Sequence, residues 1–267
     1  MLALLAAWPQ RQEILRRALE IAVNRSAGEF FEGPVRLKSA ALKRNWRLSV
    51  TGFEGRLKTR KEPVPMEINR IESLDPLTYY LFGAPVRFAF EGVRPAKSPY
   101  RGLEGVAWTS LGPNGTFELE GHVREMGLED IEWINPENLH GSTGKMAGMI
   151  RVKAGAHTAP YFSLDLQVGE PGGTVKAQFF DLLVPFLPQY EAIARLRALS
   201  AENRLVRYRS AQVQAALAGP GKMKVFLHIL IPDYNLNLNL NLEVRIDEEN
   251  AFLKLAQIMG LVEVAWT

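Results

Sequence analysis

The chain contains no cysteine among its 267 residues. That excludes disulfides, thiolate zinc sites, iron–sulfur clusters and a cysteine nucleophile. Histidine is scarce too: His122, His140, His157 and His228 are scattered, and no two stand at metal-ligand spacing. No stretch reaches the roughly 18 apolar residues that a membrane-spanning helix needs. Glycine signatures for phosphate binding are missing, with no GKS or GKT loop and no GxGxxG. So is the Gly-x-Ser-x-Gly nucleophile elbow. The densest acidic cluster, Glu129, Asp130 and Glu132, has its first two members adjacent; on a strand they point to opposite faces, which does not make a paired-carboxylate site. Gly141-Ser142-Thr143-Gly144 runs into a strand pattern rather than into a helix whose N-terminus could hold phosphate. The expectation is a protein that is not an enzyme, with no catalytic residue, no metal and no cofactor.

What the chain has is apolar character and unevenly spread charge. Apolar residues make up 47% and charged residues 23%, too apolar for a disordered chain. The length suits one large domain or two small ones. The net charge is +3, but residues 1–62 carry 13 Lys and Arg against 6 Asp and Glu. The excess is concentrated in residues 36–61, and Arg36, Lys38, Lys43, Arg44 and Arg47 are its candidates for contact with an anionic surface. Such a basic end reads as a solvated strand face or as a contact with anionic lipid headgroups. Nucleic acid is not the expected partner, because Trp46, Phe53, Tyr79, Tyr80, Phe82, Phe88 and Phe90 mostly share the apolar phase of their strands, where core packing accounts for them.

Residues 1–8 are apolar and uncharged and are followed by Pro9. They read either as the tail of a transmembrane helix that begins earlier or as the first turns of a buried helix. From Gln10 to Val23, apolar residues recur at three and four, which predicts an amphipathic helix covering a sheet or lying on a membrane surface. Residues 1–33 thus form a helical lead.

Residues 34–267 are expected to form an elongated sheet domain. Period-two alternation marks strands at Val86–Phe90, Phe117–Val123, Met146–Val152, Phe162–Val168 and Val175–Phe179. Clean alternation gives one wet and one apolar face and so favours antiparallel pairing. The pattern is clearest at 222–246, a hairpin turning at Pro232-Asp233-Tyr234-Asn235. Its second strand alternates apolar with polar residues for eleven residues, Leu with Asn over the first seven and then Glu243, Val244, Arg245 and Ile246, about 36 Å of strand. The leucine row must meet a core, a helix or a lipid. Helices are predicted near 190–203 and at 248–259, the latter after an Asp247 cap. The fold class is therefore mainly β with a few helices: a long, largely antiparallel sheet, an N-terminal helix and short covering helices.

Three features carry a family resemblance. One is the layout of apolar helical lead, early basic hairpin and long alternating strands. Another is Gly172-Gly173-Thr174-Val175-Lys176-Ala177-Gln178-Phe179-Phe180, a double glycine opening into an alternating strand. The third is the closing stretch from Arg207-Tyr208 through the 222–246 hairpin to a capped helix. Together these resemble the AsmA-like group of bacterial envelope proteins, which includes the TamB and YdbH families; type II secretion-system protein N shares the same kind of repeat and is a close competitor. The resemblance implies a curved, groove-like sheet with an apolar concave face and a role in phospholipid transport between membranes, or in assembly of the outer membrane. It implies a place in the bacterial periplasm, attached to the inner membrane through the N-terminus. Partners would be phospholipid, a membrane surface or other envelope proteins. An apolar row shields acyl chains from water without specific polar contacts, at about 0.8 kcal/mol per methylene buried. Val225, Leu227, Ile229, Leu236, Leu238, Leu240 and Leu242 are accordingly the lipid-groove candidates, unless the protein's own helices fill that face.

Overall fold

The computed structural model describes residues 11–26, 31–59, 62–82, 84–109, 116–134, 136–155, 160–182, 194, 197–198, 200–201, 204–219 and 222–245. Its helix α1 spans Arg11–Ser26. Strands β1 (Arg36–Leu42), β2 (Leu48–Leu57), β3 (Val64–Ser73), β4 (Val86–Pro95) and β5 (Gly102–Thr109) follow. Next come β6 (Thr116–Gly127), β7 (Lys145–Gly155), β8 (Tyr161–Val168) and the short β9 (Gly173–Lys176). The last are β10 (Leu205–Tyr208), β11 (Ser210–Gly219), β12 (Lys222–Ile231) and β13 (Leu236–Arg245). Eleven strands hydrogen-bond in the order β1-β2-β3-β4-β5-β6-β7-β8-β11-β12-β13, and β10 pairs with β9 as a separate two-stranded sheet. The protein is thus mainly β, with a long antiparallel sheet and an N-terminal helix, as the alternation predicts.

The chain forms two compact units: Met1–Gly121 with Val152–Pro160, and His122–Arg151 with Tyr161–Thr267. In the first, Leu15, Leu19 and Val23 of α1 pack on Val35, Leu37, Ala40, Leu48, Val50 and Phe53. The three- and four-residue spacing read from the sequence is what puts these side chains on one helix face. The opposite edge of that face solves a second problem. β1 ends the strand order and would otherwise leave backbone groups of an edge strand unpaired. Asn24 Oδ1 accepts from Val35 N at 2.7 Å, and Glu20 Oε1 accepts from Leu37 N at 2.8 Å. Arg16 donates to the Leu37 carbonyl at 3.3 Å. Polar side chains of α1 therefore take the place of a missing neighbour strand.

In the second unit, β8, β11, β12 and β13 are in a register that stacks apolar side chains into rows. Val168, Ala211, Ile229 and Leu238 form one row. Leu166, Val213, Leu227 and Leu240 form the next, and Leu164, Ala215, Val225 and Leu242 a third. The first two rows meet Val175, Ala177, Phe180, Val206 and Tyr208, contributed by β9, β10 and the turn after β9.

That turn corrects one expectation. The alternation of Val175–Phe179 predicts a strand through Phe179, but the strand ends at Lys176 and Ala177–Leu182 winds into 3-10 geometry. Packing decides this: Ala177 and Phe180 are fully buried, and the Phe179 and Phe180 rings meet edge to face at 5.7 Å. An extended chain would send two consecutive phenylalanines to opposite faces. Of the predicted helix at 190–203, the described residues Ala194, Arg197, Ala198, Ser200 and Ala201 are helical. Residues 1–8 and the predicted helix 248–259 lie outside the described residues.

Candidate functional site

The seven lipid-groove candidates separate into two groups. Leu227, Ile229, Leu238 and Leu240 are buried in the core of the second unit, and Leu236 is packed against it. The protein's own β9, β10 and 3-10 turn cover them, so these five do not line a free groove; the leucine row meets a core over most of its length. Val225 and Leu242 are different. They face each other across β12 and β13, are half-buried, and lie outside that core cluster. Leu164, in the same row, is half-buried as well. The apolar face continues past the Leu227–Leu240 row: Ala215 in the third row and Phe162 and Met223 beyond it are buried, while Leu164, Val225 and Leu242 are half-buried.

A depression of about 600 Å³ lies along residues 163–165, 214–216, 224–226 and 241–243. Asp165, Gln214, Phe226 and Asn241 stand on one bank, with Lys224 and Glu243 on the other. The flanking apolar-phase residues, Val213 and Leu227 on one side and Leu217 and Met223 on the other, do not line it. Strand geometry then places the depression on the amide face rather than on the leucine face. Gln212 and Gln214 each donate to Asp165, at 3.2 and 3.1 Å, and His228 Nε2 contacts Asn237 Oδ1 at 2.9 Å. The asparagine row thus carries ordinary surface hydrogen bonding.

The cover is fastened at Tyr208. Its buried ring lies under Gly144 and Gly173, where an added Cβ would come within 2.0 and 2.8 Å of the hydroxyl. The hydroxyl donates to the Thr143 carbonyl at 2.9 Å. Thr143 and Thr174 exchange backbone hydrogen bonds at 2.8 and 3.1 Å. Burial, aided by the nearby Glu129 carboxylate, pushes the Tyr208 pKa up to about 12. The double glycine and the Arg207-Tyr208 segment, read separately from the sequence, are here one structural joint.

The anionic-surface candidates do not form one cluster. Arg36 and Lys38 are exposed residues of β1 and border a depression of about 380 Å³ shared with Arg16, Glu20 and Glu54. Lys43 is committed to an ion pair with Glu72, which also receives Arg70; the Lys43 contact, helped by Arg70, holds the Glu72 carboxyl below its ordinary range. Arg44 and Arg47 are exposed in the β1–β2 turn. Among the described residues, Arg36, Lys38 and Arg44 have no ion-pair partner within 4 Å.

The apolar phase of their segments predicts core packing for Trp46, Tyr79 and Phe82; the structure exposes them. Trp46 is 61% exposed, Tyr79 51% and Phe82 86%, whereas Phe53 and Phe90 are buried as expected. Trp46 follows Asn45 in the hairpin turn, and both have left-handed backbone, φ 60° and 66°. Glycine is the usual second residue where both central positions need positive φ. Holding tryptophan there costs roughly 1–2 kcal/mol. The Asn-Trp pair between Leu42 and Leu48, at the place of an Asn-Gly turn, is the signal that could have found it.

Among the described residues no group of His, Cys, Asp and Glu is placed to hold a metal ion, and no helix is long and apolar enough to cross a membrane. No family model, curated protein or solved structure matches the chain.

Proposed function

We propose that this chain is a non-enzymatic lipid-binding protein of the bacterial cell envelope, in which phospholipid acyl chains lie against the apolar face of β8, β11, β12 and β13. The observation that supports this reading is the third row, Leu164, Ala215, Val225 and Leu242. It extends the leucine face beyond that core cluster with no polar side chain in it, and Leu164, Val225 and Leu242 are half-buried rather than buried. An acyl chain placed there gains transfer free energy from water with no polar group to satisfy. In this reading Leu227, Ile229, Leu238 and Leu240 form the fixed floor beside the site, and Val225 and Leu242 touch the lipid. The test is displacement of a fluorescent fatty-acid probe by phospholipid. Wild type binds the probe, Leu242→Asn weakens it at least tenfold, and no probe binding by wild type would remove the reading.

A second reading has its own support. β1 is covered by side chains of α1, but no described element pairs along the outer side of β13, the last strand in the order. An extended segment of another envelope protein could add there as a further strand, which makes this an assembly factor. It predicts a protein partner and no bound lipid.

A further inference from the structure

We infer that the end of the first unit formed by the β1–β2 turn and the β3–β4 connection is a bilayer-insertion tip for anionic membranes. The site is distinct from the acyl-chain row of the second unit and does not depend on it. The two segments are joined directly: Leu77 N donates to the Trp46 carbonyl at 2.9 Å, and Ser49 faces Glu72 across β2 and β3. Tyr79 and Phe82 belong to the short helical turn at Thr78–Leu81 and the residue after it. Leu42, Trp46, Tyr79 and Phe82 are therefore four exposed large apolar side chains at one sheet end.

Three features point to a bilayer rather than to another occupant. First, the side chains are the types that settle at the lipid headgroup level, tryptophan and tyrosine, with phenylalanine and leucine able to reach deeper. Leucine has no flat face, so a stacking platform for nucleic-acid bases does not explain it. Second, the charge complements an anionic surface. Lys43, Arg44, Arg47, Arg70 and Arg87 stand there against Glu72 and Asp75. Both acids are already engaged, Glu72 by Lys43 and Arg70 and Asp75 by a two-pronged contact from Arg87 at 2.8 Å for each nitrogen. That leaves an excess of three positive charges, with Arg44 and Arg47 making no ion pair within 4 Å. Third, Trp46 occupies a left-handed position where folding alone favours glycine or asparagine. Strain of this kind clusters at functional positions. The helix agrees in direction: followed back from Asn24 to Arg16, α1 advances from Val35 to Leu37, toward the Leu42 end of β1.

The experiment is flotation of the full chain with vesicles of phosphatidylcholine alone and of phosphatidylcholine with phosphatidylglycerol. Wild type should partition onto the anionic vesicles and shift its tryptophan emission to the blue. Arg44→Gln with Arg47→Gln should lower that partitioning about 30-fold, the effect of two cations at an anionic surface. Arg207→Gln, in the second unit, should change it less than twofold. Trp46→Asn with Phe82→Ser should lower it at least tenfold and abolish the blue shift; asparagine keeps the left-handed turn, and an unchanged far-ultraviolet spectrum checks folding. Equal binding to neutral vesicles, a blue shift that survives Trp46→Asn, a loss as large for Arg207→Gln, or binding of a single-stranded oligonucleotide in place of vesicles would each overturn the inference. None of these results bears on the probe-binding test of the second unit, so the two sites fail separately.

Discussion

The Tyr208 hydroxyl donates a hydrogen bond to the Thr143 carbonyl at 2.9 Å, closing the cover of the second unit over its leucine core. Burial of the same side chain, aided by the Glu129 carboxylate, gives a pH signature. Tyrosine in an unfolded chain loses its proton near pH 10, while Tyr208 in the folded protein keeps it to about 12. The folded state therefore binds the proton more tightly. The resulting stability is complete below about pH 10 and is lost as pH rises toward 12, by roughly 2 kcal/mol. Urea midpoints between pH 9 and 11.5 should fall for wild type and fall less for Tyr208→Phe. Parallel curves would contradict the assignment.

The same joint explains why glycine stands at 173. A Cβ there would come within 1.9 Å of the Thr143 carbonyl oxygen, whereas at Gly169 it would meet nothing within 4 Å. Gly173→Ala should cost about 3 kcal/mol, the upper end of overpacking effects, and Gly169→Ala should be neutral within about 0.5 kcal/mol. Denaturant unfolding of the two variants checks this, and equal effects would remove the steric account.

The leucine row should divide sharply by stability. Leu240 is buried in the core and Leu242 is half-buried beyond it. Leu240→Ala should destabilise by about 2–5 kcal/mol, while Leu242→Ala should cost under about 1.5 kcal/mol. If both cost the same, the boundary between floor and site is misplaced.

Much of this was legible in the sequence because it is periodic. Over its described residues, 222–245, the hairpin folds as its alternation predicts, with the turn at Pro232–Tyr234 and Ile229 facing Leu238. Helix α1 follows its apolar spacing. What escaped the sequence is set by distant partners. Alternation shows that Leu238 and Leu240 share a face but not what covers them, and that cover comes from Val175, Phe180, Val206 and Tyr208. Phe179 continues the strand rhythm in sequence, but the backbone winds into a 3-10 turn there, burying Phe180 in the core with Phe179 packed against it. Exposure of Trp46, Tyr79 and Phe82 is likewise invisible in composition, since an aromatic residue at a sheet end reads like one in the interior.

The edge of β1 offers a fourth test. Asn24 contacts both Val35 N and Val35 O, at 2.7 and 3.3 Å. Asn24→Ala leaves that buried backbone amide without its acceptor and should cost about 1–2 kcal/mol. It should also promote concentration-dependent association through the uncovered strand edge. Unfolding curves and light scattering read the two effects, and a variant as stable and monodisperse as wild type would contradict the role given to α1.

The most direct test of the lipid-binding account is native mass spectrometry of protein purified from cells without detergent stripping. The account predicts an added mass matching bound phospholipid, lost in Val225→Asn and Leu242→Asn variants whose far-ultraviolet spectra match wild type. Wild-type protein at the mass of the bare chain, or phospholipid retained in both variants, would contradict it.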